Sequence, residues 1–533
     1  MTIELLFATA IEQQTSNRPW LDYKGFGRFG SEPWHKEITD IWGFYSWLLE
    51  KYSCERLDKR DFQNKEKTIL VLNVKDTMGD YEFFRADGKL ANAYKDGTIE
   101  DIYNRFLEEN DKSNWEARED KNVMQKMNIP FSPPDISDLE VEEVTKALKS
   151  GWITTGPRVK KLEKLLAEYV GVPTEAPNCV CLNSQTACGE LSLRLLGIGP
   201  QEGGSAEDEV ITCAYTYTAS ASIVCHVGAK LVLVDCQKDN LEMDYDALEK
   251  AINEHTKAII PIDIGGVPCD YDRIFEIVER KKHLFKPTSK LQKALGRIAV
   301  VEDAAHALGA SRKGKMVGSI ADFTNFSFHA VKNFTTAEGG AMTWRHIEGI
   351  DDAELYHLVQ LYSLHGQSKD ALNKNKPGMW EYDIVGTWYK CNMTDIMAAI
   401  GLKQFERYPS MLARRKEIIS KYDAELKPLG VEVLPHFTDE HISSGHLYIT
   451  RVPNCDDQKR REIIIKLAEK GISTNVHYKP LPMHTAYKKL GFDIKDYPNA
   501  YARYANEITL PLHTCLTDEE VDYIVKGYRE VLR

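Results

Sequence analysis

Nothing in the sequence marks the chain for a membrane, for export or for a nucleic acid. No apolar run in its 533 residues approaches the length of a membrane span. The start, Met1-Thr2-Ile3-Glu4, has no basic stretch followed by an apolar one, so it does not read as a secretory leader. Positive charge is in deficit: 68 Lys and Arg stand against 80 Asp and Glu, and the net charge of −12 repels phosphate backbones and anionic lipid surfaces. The 11 Cys include one close pair, Cys179 and Cys181, and no Cys or Cys/His spacing suited to a metal. Free thiols in a reducing cytoplasm are therefore expected. Internal repeats and low-complexity tracts are missing as well. What is there is a chain 43% hydrophobic and 28% charged. Its length predicts roughly two to four domains with sizeable cores.

Two changes in composition divide the chain. Residues 1–125 are rich in tryptophan (Trp20, Trp34, Trp42, Trp47, Trp115), with a helix-spaced apolar series from Ile38 to Tyr52 and a strand-like run at 68–74. A polar stretch over 108–126 then leads into Ile129-Pro130-Phe131-Ser132-Pro133-Pro134, which reads as a linker. Beyond it, Ser137 and Glu140 form a capping box for a helix that Gly151 ends, and Pro157 and Gly171 bracket a second helix. Apolar runs at 210–215, 230–235, 257–264 and 297–302 alternate with amphipathic segments, the pattern of a mostly parallel sheet covered on both faces. Ligands of such sheets bind beyond the carboxyl ends of the strands. After Trp344 helical patterns dominate, at 395–426, 456–471 and from Asp518 onward. The division expected is an extra N-terminal α/β domain of unknown role over 1–125, a large domain over 126–345 and a smaller C-terminal domain over 346–533.

Four groups of residues could carry chemistry. An apolar strand leads through Phe326-Ser327-Phe328-His329-Ala330-Val331 to Lys332, with Gly339-Gly340 close behind. A lysine in a pocket that lowers its pKa is a nucleophile suited to Schiff-base formation, although a lone lysine after a strand is ordinarily solvated. In Val300-Val301-Glu302-Asp303-Ala304-Ala305-His306 two acids end a strand buried on both faces, and buried carboxylates need partners. Asp303 either caps a following helix or holds a pyridine nitrogen protonated. Asn183-Ser184-Gln185-Thr186-Ala187 joins a strand to a helix whose first N–H groups suit a phosphate or ordinary capping. Tyr217 follows another strand end and could stack on a flat ring or sit in the core.

Taken in order, these segments resemble the DegT/StrS-type pyridoxal phosphate (PLP)-dependent sugar aminotransferases over residues 130–533, and are similar to the members that aminate a UDP-4-keto-pentose. The resemblance rests on Ser150-Gly151-Trp152-Ile153-Thr154-Thr155-Gly156-Pro157, on residues 301–306 and on residues 326–333. It implies an aspartate-aminotransferase-like (fold type I) α/β large domain with a mostly parallel sheet and a smaller α+β C-terminal domain. Residue by residue, it implies that Lys332 carries PLP and that Asp303 pairs with the ring nitrogen. Tyr217 stacks on the ring, Thr186, Ala187 and Ser327 hold the phosphate, and His306 sits beside the cofactor. Asn392 reaches the phosphate from the partner subunit, which implies a homodimer with shared active sites and contact helices in the C-terminal domain. An amino-acid donor, glutamate by family analogy, and a nucleotide-linked keto-sugar would be the substrates, in surface polysaccharide or glycan synthesis.

Family relatives that dehydrate sugars carry His at the Lys332 position, so a lysine here favours amine transfer over that alternative. A regulatory or scaffold role for a PLP fold is the other alternative, and the intact Lys332 and Asp303 argue against it. A nicotinamide enzyme is excluded by Gly197-Ile198-Gly199-Pro200-Gln201-Glu202, where Glu stands in place of the third glycine. One departure is a basic insertion over 281–290, which reads as a solvated loop or as a neutraliser of a substrate's diphosphate.

Overall fold

The computed structural model describes residues 126–175, 177–368 and 381–532, with the backbone of six strands between Thr2 and Arg85. The chain divides into two compact units, Met1–Gln125 and Lys126–Arg533. In the first, Thr2–Ala10 pairs antiparallel with Phe26–Arg28, Trp34–Glu37 and Lys67–Val74. Lys67–Val74 pairs in turn with Tyr81–Arg85, and Tyr81–Arg85 with Glu55–Arg56. Lys67–Val74 is the strand expected at 68–74. The helix-spaced run at 38–52 and the polar stretch at 108–125 lie outside the described residues.

The second unit is built on a seven-stranded sheet. Its strands in chain order are Cys179–Leu182 (β1), Glu209–Cys213 (β2), Lys230–Val234 (β3), Thr256–Ile260 (β4), Ala299–Asp303 (β5), Phe323–Ser327 (β6) and Gly340–Trp344 (β7). They lie side by side as β1-β7-β6-β5-β4-β2-β3, and β7 alone runs against its neighbours. This is the mostly parallel α/β sheet expected. Helices cover both faces, which is why β2, β4 and β5 are buried along their whole length and read as continuous apolar runs.

Local chemistry sets the helices around it. The Asp138–Lys149 helix opens on the capping box, with the Ser137 N–H donating to Glu140 Oε2 at 2.8 Å. Pro157–Val170 begins on its proline and ends on Gly171 at φ 80°, a left-handed position that costs glycine little. C-terminal to the sheet, the 32-residue helix Asp395–Leu426 leads to a three-stranded antiparallel sheet of Glu432–Val433, Tyr448–Arg451 and Glu507–Leu510. Helices Asp457–Glu469 and Asp518–Leu532 accompany it, an α+β arrangement.

One segment differs from its sequence reading, and for another the structure favours one of two readings. The proline-rich run at 129–134 is part of the second unit rather than a free linker. Ile129 is bonded through its backbone to Gly471 and Ser473, and the His513 ring is 3.1 Å from the Pro130 carbonyl. The basic insertion packs at the amino ends of the strands. Lys257, second in β4, donates to the Lys286 carbonyl, and Ser289 donates to the Leu196 carbonyl. Three of its lysines pair with acids: Lys282 with Glu279, Lys286 with Glu254, Lys290 with Glu354. Neutralising a substrate's diphosphate would require the opposite end of the sheet.

Candidate active site

The carboxyl ends of β1, β2, β4, β5 and β6 open into one cavity of about 390 Å³. Each strand delivers one part of its lining. After β1, Ser184 caps the Gln185–Leu195 helix by accepting the Ala187 N–H at 3.1 Å. Gln185 and Thr186 line the cavity, and their first-turn N–H groups have no acceptor within the helix. Such a helix start attracts an anion through its free N–H groups and its dipole. The loop after β2 brings Tyr217, which is 61% exposed at the cavity wall, 6.0 Å from the Tyr478 ring. It is not a core aromatic.

β5 ends on Asp303, which is buried. No helix follows it. Its Oδ1 accepts the Ala305 N–H at 3.1 Å in a tight turn, and its Oδ2 accepts the Ser220 hydroxyl at 2.6 Å. Burial raises the Asp303 pKa, against the opposing pull of Ser220, the Ala305 N–H and the Lys332 charge. Three residues on, His306 Nδ1 accepts the Gly265 N–H at 3.2 Å and Nε2 lies 3.1 Å from the Tyr478 hydroxyl. Burial holds the imidazole pKa well below its ordinary value. A neutral ring that accepts at Nδ1 carries its proton on Nε2 and donates it to Tyr478.

β6 ends at Ser327, and Lys332 stands in the turn that follows rather than at the strand's tip, its N–H bonded to the His329 carbonyl at 2.9 Å. Burial lowers the amine's pKa from 10.5 to about 8, although the Asp303 carboxylate pulls the other way. Ser327 shares the cavity with Thr186 and Lys332. Of the residues singled out in the sequence, Thr186, Tyr217, Asp303, His306, Ser327 and Lys332 thus meet in one place. Ala187 and Asn392 are not among those lining it. The Ala187 N–H is taken by Ser184, and Asn392 donates to Thr155 Oγ1 at 2.5 Å.

Several residues of the site carried no readable signal. Ser220, which does not line the cavity but bonds Asp303, is one helical turn beyond Tyr217 and looks like any small residue of an apolar helix. Phe131, from the segment read as a linker, stacks on His477 with ring centroids 5.6 Å apart. His477 and Tyr478 come from a segment without periodicity in the C-terminal half, and His446 lies 4.4 Å from the His306 ring. Asp263, after β4, also lines the cavity. Among the described residues no group of three or more His, Cys, Asp or Glu is placed to hold a metal, and no helix is long and apolar enough to cross a membrane.

Comparison with known proteins agrees with this geometry. Residues 134–529 match the model of the DegT/DnrJ/EryC1/StrS aminotransferase family. The spore coat polysaccharide biosynthesis protein SpsC of Bacillus subtilis is 36% identical over 420 residues, covering 77% of this chain and 99% of that protein. Spr1654 of Streptococcus pneumoniae, described as a sugar aminotransferase and solved in its PMP form, is 57% identical with a TM-score of 0.73, covering 76% of this chain and 99% of that one. PseC of Helicobacter pylori, an aminotransferase involved in the biosynthesis of pseudoaminic acid, is 27% identical with a TM-score of 0.65 and the same coverage.

The cavity fits the cofactor of this family. A helix start for a phosphate, an amine of lowered pKa and an open tyrosine face line one space. Among the described residues the buried Asp303, which lines it, has no cationic partner in a salt bridge, the Lys332 amine being the one cation acting on it, and a protonated ring nitrogen would favour its charged form. The chain belongs to the DegT/DnrJ/EryC1/StrS aminotransferase family: it is a fold type I aminotransferase whose cofactor is pyridoxal phosphate.

Proposed function

We propose that this protein transfers an amino group from an amino acid, glutamate by family analogy, to a nucleotide-linked keto-sugar used in surface polysaccharide or glycan synthesis in the cytoplasm. The observation that carries the reading is the convergence of Lys332, Asp303 and the Gln185–Leu195 helix start on one cavity. The sugar assignment is supported by what SpsC, Spr1654 and PseC are described as doing.

In this reading Lys332 holds the cofactor, and Asp303, braced by Ser220, faces the ring nitrogen. Thr186, Ser327 and the helix start take the phosphate, and Tyr217 covers one ring face. Bound there, pyridoxal phosphate supplies an electron sink for the pair left behind when a Cα–H bond of the donor breaks. The Lys332 amine, with a pKa of about 8, is neutral in a substantial fraction near neutral pH and can take that proton and return it. His306 stays neutral across the same range, so it orients Tyr478 without competing for the proton. Tyr478, His477 and Phe131 line the same cavity and would border the bound substrate.

The active unit in this reading is a homodimer, with Asn392 serving the partner subunit's cavity. Its support is that Asn392 is absent from the cavity of its own chain and that Ile136, Leu139, Val141, Leu148 and Ile153 leave apolar surface exposed around the first helix of the second unit. The test is a panel of nucleotide keto-sugars with glutamate, following 2-oxoglutarate release. Turnover of at least one such sugar is expected. Turnover confined to an unphosphorylated ketone or aldehyde would overturn the substrate class.

A further inference from the structure

Behind the catalytic aspartate lies a pair of acids that the reaction does not use. Asp263, in the loop after β4, and Glu302, the residue before Asp303, are both 0% exposed, and their carboxyl groups are in hydrogen-bonding contact. Three of the bonds around them are ordinary. Asp263 Oδ1 accepts the Cys269 N–H at 3.0 Å and the Tyr271 hydroxyl at 2.9 Å, and Glu302 Oε2 accepts the Thr324 hydroxyl at 2.6 Å. The other two oxygens, Asp263 Oδ2 and Glu302 Oε1, are buried without a hydrogen-bond partner among the described residues, and the Tyr271 hydroxyl that bonds Asp263 also lies close to Glu302. Asp303 and the Cys269 thiol, with Glu242 beyond it, are the further ionisable groups around the pair, and no cationic side chain is among the principal groups acting on either acid.

Two buried, unpartnered oxygens on carboxyl groups in hydrogen-bonding contact have one satisfactory protonation state. With no proton, two like charges touch in a site without solvent or a counter-ion. With two, a pair of donors meets face to face. With one, a single O–H···O bond satisfies both atoms. We propose that Asp263 and Glu302 share one proton between Oδ2 and Oε1, and that this bond is a positioning device for Asp303 and His306.

The backbone shows how it would act. The Asp303 N–H donates to the Pro261 carbonyl at 2.9 Å and the Asp263 N–H to the Asp303 carbonyl at 3.1 Å, so the chain after β4 is laced to β5 on both sides of Asp303. The same loop continues through Gly265 and Gly266, at φ 69° and 88°, where a Cβ on Gly266 would approach the His306 carbonyl to 2.9 Å. The Gly265 N–H is the group that fixes the His306 ring. Loss of the shared proton would push the loop from the strand and release both residues. The effect on cofactor chemistry rests on the function proposed above, whereas the shared proton does not.

Infrared difference spectra of the apoprotein at pH 8 test the proton directly. Wild type minus Glu302→Gln should show one protonated-carboxyl band lost, because the amide replaces the shared O–H as donor. Asp263→Asn should lose the same single band, and Glu507, present throughout, cancels. No lost band in either variant, or two bands lost in the double variant, would overturn the shared proton. For positioning, Glu302→Ala should weaken PLP binding about tenfold or more and move the pH midpoint of the bound cofactor's visible spectrum, while Glu302→Gln restores both. Equal behaviour of the Ala and Gln variants would refute the positioning role. A wild type that binds no PLP would refute the proposed function and leave the infrared result to decide the proton.

Discussion

In the apoprotein, the rate at which Lys332 captures pyridoxal phosphate should follow its neutral amine and level off above about pH 8. An unperturbed lysine at pH 7.5 is only about 0.1% neutral, whereas one with a pKa of about 8 is about 24% neutral. That difference, roughly 200-fold in reactive amine, is what burial of this side chain contributes at working pH. The perturbation is Asp303→Asn. Asp303 is the group that raises the Lys332 pKa against burial, so removing its charge should move the midpoint of the rate profile to lower pH. The assay is stopped-flow absorbance after mixing apoprotein with PLP from pH 6 to 10, with Lys332→Ala as the blank. A wild-type rate still climbing tenfold per pH unit at pH 9 would refute the lowered pKa. An Asp303→Asn midpoint at higher pH than wild type would refute the electrostatic link between the two residues.

Three further outcomes are expected. Ser220→Ala removes the 2.6 Å hydroxyl bond to Asp303, a bond to a charged group worth about 1.5–3 kcal/mol, so equilibrium dialysis should show PLP affinity falling roughly 10- to 150-fold. Unchanged affinity would count against Asp303 as the nitrogen's partner. Glu507, buried, has its pKa raised to about 8, so the folded state holds a proton that the unfolded state releases above about pH 4.5, and stability is lost as pH rises between those values. Glu507→Gln keeps a group that can accept from the His477 N–H and bond Thr509. Denaturant melts should show it stabilised by up to about 4 kcal/mol at pH 7.5 and by less than about 0.5 kcal/mol at pH 4.5. A variant equal to wild type at pH 7.5 would contradict the raised pKa. Finally, Lys332→Ala and Asn392→Ala subunits, each inactive alone, should recover about a quarter of wild-type activity on random mixing, because a mixed dimer has one intact site. No recovery would contradict a shared site.

How much of this was readable beforehand depended on how local the cause is. Helix ends at Ser137, Gly151, Pro157 and Gly171 are set by residues within one turn, and the structure reproduces them. The buried strands β2, β4 and β5 announced themselves because a sheet covered on both faces needs unbroken apolar runs. Their lateral order did not, since crossover length leaves neighbour choice open. The chemistry-bearing residues were legible one at a time, each as ambiguous as its local context. Asp303 reads equally well as a helix cap until the turn after β5 is seen, and Lys332 as a solvated lysine until the walls around it are. What was illegible came from far along the chain. Phe131, His477 and Tyr478 reach the cavity through long connections, and the partner of Glu302 is an aspartate on the neighbouring strand's loop. The basic insertion left two readings open because charge alone does not say at which end of a sheet it lies.

The proposed function requires that Lys332 carry the cofactor, opposite Asp303. Borohydride reduction of the PLP-loaded protein followed by peptide mass mapping tests it most directly. A phosphopyridoxyl group on Lys332 and on no other lysine is the predicted result; its appearance elsewhere, or its absence from a protein that binds PLP, would contradict the claim.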